Sequence, residues 1–451
     1  MNVQEEQSIT SIDDLVTYYR RVNWEKHLYV GIEWERSGVY REDYAPVQYE
    51  GSNGYNAVLH KLVEEVGWEV IESDEDDLLE LQRGETRVTI EGDGRLELAG
   101  SPQEILHDLA RELRIHNNEV VEMGNIFGIG WLPLGLQPLH NNADIQMMHK
   151  ERYRIFQGIG DRELMETMTK RLNGLTANLS YTNEENAVRK AQTAFRVLPI
   201  VGAMFASSGL ENGKERGLLN ERRRVIQGHA PERTGIPSSI LDADFSLADW
   251  LSYYADLPVV LIERDGKEVR TEEQFTFRQW MEEGREGRQP TAKDFDRHIK
   301  TTWSDIRLRP SYLEYRVPDS VPFRFVMALP ALMKGLIFDS ENWEAVAQLT
   351  QGWTYQDVLD LDRRAWKDGL QTEVDGKPLL LFAQELLMLA NQKLHSFERL
   401  DGSEQDETVY LTALKEQIFI KEKSPAEEIR DCFRGEWNEE ATRVLAWCEG
   451  E

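Results

Sequence analysis

The stretch from Val88 to Leu98 restricts the fold more than any other part of the chain. Val88-Thr89-Ile90-Glu91 and Arg95-Leu96-Glu97-Leu98 alternate apolar and polar residues on either side of Gly92-Asp93-Gly94. Period-two alternation is the pattern of a strand, and a short Gly-rich interruption joins two strands as a hairpin. In that hairpin Glu91 opposes Arg95 and Thr89 opposes Glu97. Thr89, Glu91, Arg95 and Glu97 therefore share one face, while Val88, Ile90, Leu96 and Leu98 share the other.

The same alternation predicts strands over Leu28 to Arg36, Arg87 to Glu91, Arg95 to Ala99, Leu175 to Tyr181 and Tyr312 to Val317. Ser101-Pro102-Gln103-Glu104 reads as a capping box with Pro at the first helical position, opening a helix that runs to about Gly124. A second long helix is predicted from Glu184 to Ala206, kinked or split at Pro199. From about Val321 onward the pattern is almost entirely helical. Strands and helices without regular βαβ order predict an α+β fold with a largely antiparallel sheet. No linker stands out before about residue 400. The reading is one domain over 1–400 with a helical C-terminal extension, 401–451, packed on it.

Charge excludes several partners. Among 451 residues, Lys and Arg total 52 and Asp and Glu total 81, a net charge of −29. Nucleic acid and anionic membrane surfaces require a basic footprint, which this chain lacks. The longest acidic run, Glu72 to Asp77, reads as a solvated loop. No apolar run reaches the roughly 20 residues of a spanning helix. The first residues, Met1 to Glu6, show no secretory signal, so a cytoplasmic location is expected. Cys432 and Cys448 are expected to be reduced thiols. Neither HExxH nor CxxC occurs, which argues against structural zinc. Gly209 to Glu215 lacks the spacing of a phosphate loop and reads as an ordinary turn.

Five glutamates therefore lie on strand faces in separated segments: Glu33 and Glu35, Glu91 and Glu97, and Glu314. Glu is a poor strand former. One wet face of an antiparallel sheet would account for any single strand. If the segments pair, however, carboxylates lie roughly 5–8 Å apart on one surface. Like charges so placed repel unless cations intervene. Two or more oxygen-ligated divalent ions would resolve this, and Mg²⁺ is the usual ion where phosphate is handled. Arg316 joins Glu314 on that face, and Thr176, Asn178 and Ser180 share a face of their own strand. Carboxylates with Arg on one sheet face suit metal-assisted phosphoryl transfer. Lys150-Glu151-Arg152-Tyr153, Glu221-Arg222-Arg223-Arg224 and Pro231-Glu232-Arg233-Thr234-Gly235 stand out in so acidic a chain. Each is either an exposed helix end or a recognition site for carboxylate or phosphate.

These segments resemble, in order, the motifs of the plant and proteobacterial type of glutamate–cysteine ligase, a family that includes ergothioneine-pathway enzymes. Gly31-Ile32-Glu33-Trp34-Glu35 resembles its Gly-x-Glu-x-Glu strand, and Thr89 to Gly100 its glutamate hairpin. The Lys150, Pro231 and Tyr312 segments follow, and the resemblance spans about residues 22 to 395. It implies a glutamine-synthetase-like catalytic fold, a curved antiparallel funnel backed by helices. It implies ATP-dependent phosphorylation of the γ-carboxylate of L-glutamate, then attack by the amine of L-cysteine, giving γ-glutamylcysteine for glutathione biosynthesis. It implies Mg²⁺ on Glu33, Glu35, Glu91, Glu97 and Glu314, with Asn178 beside them. Arg316 and Glu314 would be catalytic, Arg316 neutralising the transferring phosphate. Lys150, Arg152, Tyr153, Arg222 and Arg233 would bind substrate, Arg152 and Arg222 through a carboxylate. Thr176 stands where the family usually has Gln, which leaves a different amine acceptor open. A non-catalytic member of the fold is the other alternative. The catalytic region has no cysteine for a thiol switch of the plant kind.

Overall fold

Backbone pairing gathers the predicted strands into one nine-stranded sheet. Its strands are β1 (Val30–Tyr40), β2 (Glu69–Asp74), β3 (Asp77–Arg83), β4 (Thr86–Ile90), β5 (Leu96–Ala99), β6 (Ile129–Leu132), β7 (Leu175–Ser180), β8 (Ile306–Leu308) and β9 (Tyr312–Tyr315). The order is β8-β9-β7-β1-β5-β4-β3-β2, with β6 on the far half of β1. Every pairing is antiparallel. The computed structural model describes residues 7–21, 27–264, 266–271, 274–285 and 287–450. Met1 to Glu6, the segment expected to lack a secretory signal, lie outside them.

One face of the sheet is dry. Val30, Ile32 and Trp34 of β1, Ala177 of β7 and Leu313 of β9 join one apolar core with the helices Glu184–Arg196, Leu198–Met204, Ala328–Ile337 and Leu379–Ser396. Val88, Ile90 and Leu96 form a second cluster with Val120 and Met123 of α1 (Leu106–Phe127). The first core runs from Ile9 to Cys448, so residues beyond 400 share it. The α+β expectation is what the structure shows: a large antiparallel sheet backed by helices. The helices α2 (Glu151–Phe156), α3 (Arg162–Arg171) and α4 (Glu221–His229) border the other face, and α5 (Tyr355–Asp368) packs Val358, Leu361 and Ala365 into the first core.

Several local readings need correction. The capping box does not form. Ser101 donates through both N–H and hydroxyl to Glu112, and the helix opens later, at Leu106. Its first amide is instead capped by Glu407, 2.7 Å from Leu106 N. The acidic run is mostly strand: Glu72 to Asp74 belong to β2 and Asp77 to β3, leaving Glu75 and Asp76 as the turn. All six residues of β2 are exposed at the sheet edge, Val70 and Ile71 included, and the register slips on both sides of Glu72. The ribbon Leu261–Arg264 with Lys267–Arg270 was not anticipated. The split at Pro199 is as expected, with Pro199 in the first turn of the second helix. Gly209 to Glu215 is a tight two-stranded turn. Both cysteines are free thiols. Among the described residues no helix is long and apolar enough to cross a membrane.

Lys190, on the helix behind the sheet, is wholly buried. Its ammonium donates to the Ser180 carbonyl at 2.6 Å and sits 4.1 Å from the centre of the Phe338 ring. Burial pushes its pKa down from 10.5 to about 7. The unfolded chain thus holds this proton up to pH 10.5, whereas the folded chain releases it from about 7. Protons are bound more by the unfolded state in that window, so this group makes stability rise with pH across it. Lys190→Met is expected to remove that rise, because its loss of the Ser180 contact does not depend on pH. Urea unfolding at pH 6.5 and 9.5 measures it. An unchanged pH dependence in the variant would exclude Lys190 as the cause.

Candidate active site

The register builds the polar face residue by residue. Glu35 of β1 stands opposite Glu97 of β5, and Glu97 opposite Thr89 of β4. Toward the other edge Glu33 stands opposite Thr176, Asn178 opposite Glu314, and Glu314 opposite Arg307 of β8. Directly opposed residues lie on the same face, so the carboxylates expected to share a surface do so. The hairpin loop is closed as expected, with Glu91 N 3.0 Å from Arg95 O. Gly94 has φ +89°, and a Cβ there would lie 2.6 Å from the Tyr49 ring, so the turn admits only glycine. Arg95 folds back over the loop. It donates to Asp93 at 2.6 Å and to Thr169 O at 2.9 Å, with its other terminal nitrogen 3.6 Å from Glu35.

This face is the wall of a cavity of about 410 Å³ lined by Glu33, Glu35, Glu91, Arg95, Glu97, Arg152, Tyr153, Arg222, Glu314 and Arg316. Its electrostatics divide into two regions. Burial, and then the Glu314 charge, raise the pKa of Glu33. Burial and Glu91 push Glu35 up to about 7. Burial with Glu33, Glu91 and Glu35 holds Glu97 well above the carboxylate range. Thr89 relieves little of this with one hydrogen bond of 3.0 Å. Glu314 behaves oppositely. Burial alone would raise it, but Arg307, Arg316 and Arg309, at 2.9, 3.3 and 3.5 Å, hold it below its ordinary value.

The donor chemistry at Glu33, Glu35, Glu91 and Glu97 fits hard divalent cations, since the shared repulsion is what added positive charge would relieve. Glu314 does not fit that role as placed, because the three arginines already claim its oxygens. Among the described residues, no three His, Cys, Asp or Glu side chains are assembled as a finished metal cage. Glu33, Glu35, Glu91 and Glu97 would therefore have to turn toward a cation.

The basic residues separate into used and unused groups. Arg316 lies 3.3 Å from Glu314 and 3.9 Å from Glu33, at the junction of the two regions. Arg152 and Tyr153 line the cavity from α2. Arg152 rests on the Phe156 ring and lies 3.7 Å from Glu268 on the unanticipated ribbon; among the described residues its buried Nε has no hydrogen-bond partner. Arg222 lines the cavity, yet its terminal nitrogens are spent on the carbonyls of Arg316 and Val317, at 3.3 Å. It meets Glu35 over Gly174, where a Cβ would sit 2.7 Å from Arg222 Nη2 and 3.3 Å from Glu35 Oε1.

Arg233 must be removed from the site. It lines no part of the cavity, and its buried guanidinium binds Thr301 O, Pro258 O and Thr301 Oγ1, tying α4's following turn to the core. Lys150 lines a smaller neighbouring cavity with Asp74, Asp77 and His149. Thr176 and Asn178 sit on the same face as Glu33 and Glu314 but do not line the cavity. Thr176 is buried, and Asn178 donates to Glu33 at 3.1 Å. The residues missed are Arg307 and Arg309. Their alternation in Ile306-Arg307-Leu308-Arg309 was the available signal, in a strand of three residues.

Residues 29–446 match the glutamate–cysteine ligase family 2. Glutamate–cysteine ligase A, chloroplastic, of Oryza sativa subsp. indica is 28% identical over 444 residues, covering 96% of this chain and 87% of its own. The chloroplastic glutamate–cysteine ligase of Arabidopsis thaliana is 29% identical over 449 residues, covering 96% and 82%. The fold is that of the glutamate–cysteine ligase of Francisella tularensis solved in complex with AMP. The TM-score is 0.55 at 12% identity, covering 95% of this chain and 90% of that one. A carboxylate band faced by arginines, on a chain matched along nearly its whole length, has one reading: this protein belongs to glutamate–cysteine ligase family 2.

Proposed function

We propose that the protein joins the γ-carboxylate of L-glutamate to the amine of L-cysteine at the expense of ATP, giving γ-glutamylcysteine, ADP and phosphate. The observation that carries this is the junction of two regions at Arg316. On one side are carboxylates whose pKa values are raised by burial and then by mutual repulsion, on the other arginines anchored by Glu314. Phosphoryl transfer needs positioning and positive charge around the migrating group more than covalent chemistry from the protein. Mg²⁺ held by Glu33, Glu35, Glu91 and Glu97 would neutralise the nucleotide phosphates. Arg316 faces the transferred group, and Arg307 and Arg309 are kept oriented by Glu314. The γ-phosphoryl moves to a glutamate carboxylate oxygen as ADP leaves. The amine then attacks the acyl carbon, phosphate leaves, and the amine loses a proton.

Arg152 is the better candidate for a substrate carboxylate, since Arg222 is already bonded to the main chain. Phe156, Met168, Leu172, Ile226 and Trp303 line the same cavity and supply an apolar wall for a small side chain with little hydrogen-bonding capacity. The test is ADP release from purified protein with ATP, MgCl₂ and glutamate, plus a panel of amines. Release that requires both glutamate and cysteine is expected. Dependence on another amine moves the reading to that acceptor, and no glutamate-dependent release with any amine would overturn it.

A further inference from the structure

Two consecutive arginines of α4 grip the backbone around Arg316 from both sides. Arg222 takes the carbonyl of Arg316 and that of Val317, each at 3.3 Å. Arg223 takes the carboxylate of Asp305 with two hydrogen bonds, one of them 3.0 Å. The carbonyl of the same Asp305 accepts the amide of Arg316 at 2.8 Å. The Arg316 C=O is thus held directly by Arg222, and its N–H by the main chain of Asp305, whose carboxylate Arg223 grips. Arg223 is only 1% exposed and carries no contact with the cavity.

Arg223 is itself fixed from outside the sheet. Asp362 of α5 accepts its Nη2 at 2.8 Å, and the same Asp362 oxygen accepts the Trp366 indole N–H at 2.9 Å. One turn later the Trp366 carbonyl accepts the amides of Leu219 and Asn220, at 2.7 and 3.0 Å. Asn220 is the N-cap of α4, its side chain bonding the Arg223 amide. α5 therefore sets both where α4 starts and where its second arginine points. Asp362 is buried and lies outside the cavity lining.

We propose that Asp362 is a positioning residue for Arg316, acting through Arg223 and Asp305. This rests on the reading of Arg316 given above. A charge placed for phosphoryl transfer loses effect steeply when it shifts by a fraction of a bond length. Asp362→Asn keeps the shape and weakens the hold on Arg223. A structural role alone would lower stability and spare turnover.

The test is a double-mutant cycle on kcat for ADP release with glutamate and cysteine, using wild type, Asp362→Asn, Arg316→Ala and the double variant. Asp362→Asn is expected to lower kcat by roughly 10- to 100-fold and leave the cysteine KM unchanged. It should have no further effect once Arg316 is gone, since only coupled residues depart from additivity. Asp362→Glu, which retains the charge, should recover part of the loss. An equal loss in both backgrounds would overturn the proposal, as would unchanged kcat beside a lowered Tm. Wild type that releases no ADP with glutamate and cysteine counts against the ligase reading instead. The same cycle read as the Kd for Mg·ATP by calorimetry then decides the positioning claim: weakening confined to the Arg316 background supports it, and weakening in both sinks it.

Discussion

Glu97→Gln is expected to lower turnover by roughly 10²- to 10³-fold while making the metal-free protein no less stable. Glu97 lies opposite Glu35 in the sheet, and its pKa is raised by burial and by Glu33, Glu91 and Glu35. Neutralising it removes repulsion that the folded state must bear, so the empty protein gains. The same change removes a cation donor, and a bound cation supplies several kcal/mol of charge stabilisation in phosphoryl transfer, a loss in kcat of roughly 10²- to 10³-fold. Glu33→Gln should behave alike. The two effects are separable by measuring kcat beside Tm with and without MgCl₂. Wild type should gain Tm on adding MgCl₂, and the variants should gain little. Near-normal kcat with an undiminished Mg²⁺ response would remove these carboxylates from the metal site. Activity bought at the cost of apo stability is the usual bargain of a functional site.

Glu407→Gln should cost about 3–5 kcal/mol of stability, the range for breaking a buried ion pair. Both Glu407 oxygens meet the Lys334 ammonium, at 2.8 and 2.6 Å, and one also caps α1 at Leu106 N. Glu407 is wholly buried and Lys334 nearly so. An amide in place of the carboxylate leaves the buried ammonium without a counter-charge, holding only one amide oxygen and the Glu104 carbonyl, 2.9 Å away. Replacing both partners at once, Lys334→Met with Glu407→Leu, should cost far less, leaving mainly the lost cap, about 1 kcal/mol. Urea unfolding of the single and double variants measures both. A double variant as unstable as Glu407→Gln would show that the charge is not the source of the loss.

The glutamate hairpin was legible because its information is local. Alternation, a Gly-rich turn and the closing Glu91–Arg95 pair all lie within eleven residues, Val88 to Leu98, and tertiary context only confirms them. The same reasoning failed at Ser101, where the local capping signal competes with Glu112 one helical face away and the real cap comes from position 407. No local pattern encodes a partner 301 residues distant. Arg233 failed for a related reason. Its segment is as basic as that of Arg152, but the direction of a side chain is set by what packs beyond it, here the carbonyls of Thr301 and Pro258. Arg307 and Arg309 were overlooked because a three-residue strand offers too few alternations to be counted.

The outermost strand β2 bears on how copies of the protein behave toward one another. It offers a free row of backbone donors and acceptors, with Val70 and Ile71 exposed upon it, the makings of an adhesive edge. Glu69, Glu72 and Asp74 stand along the same six residues, and the irregular register around Glu72 spoils the line a second strand would follow. The edge is thus guarded by repulsion and shape, with none of the described residues paired along it. In colloidal terms such a guard is conditional: it is strongest where carboxylates are ionised and salt is low, and it weakens as acid or counter-ions discharge the barrier between molecules.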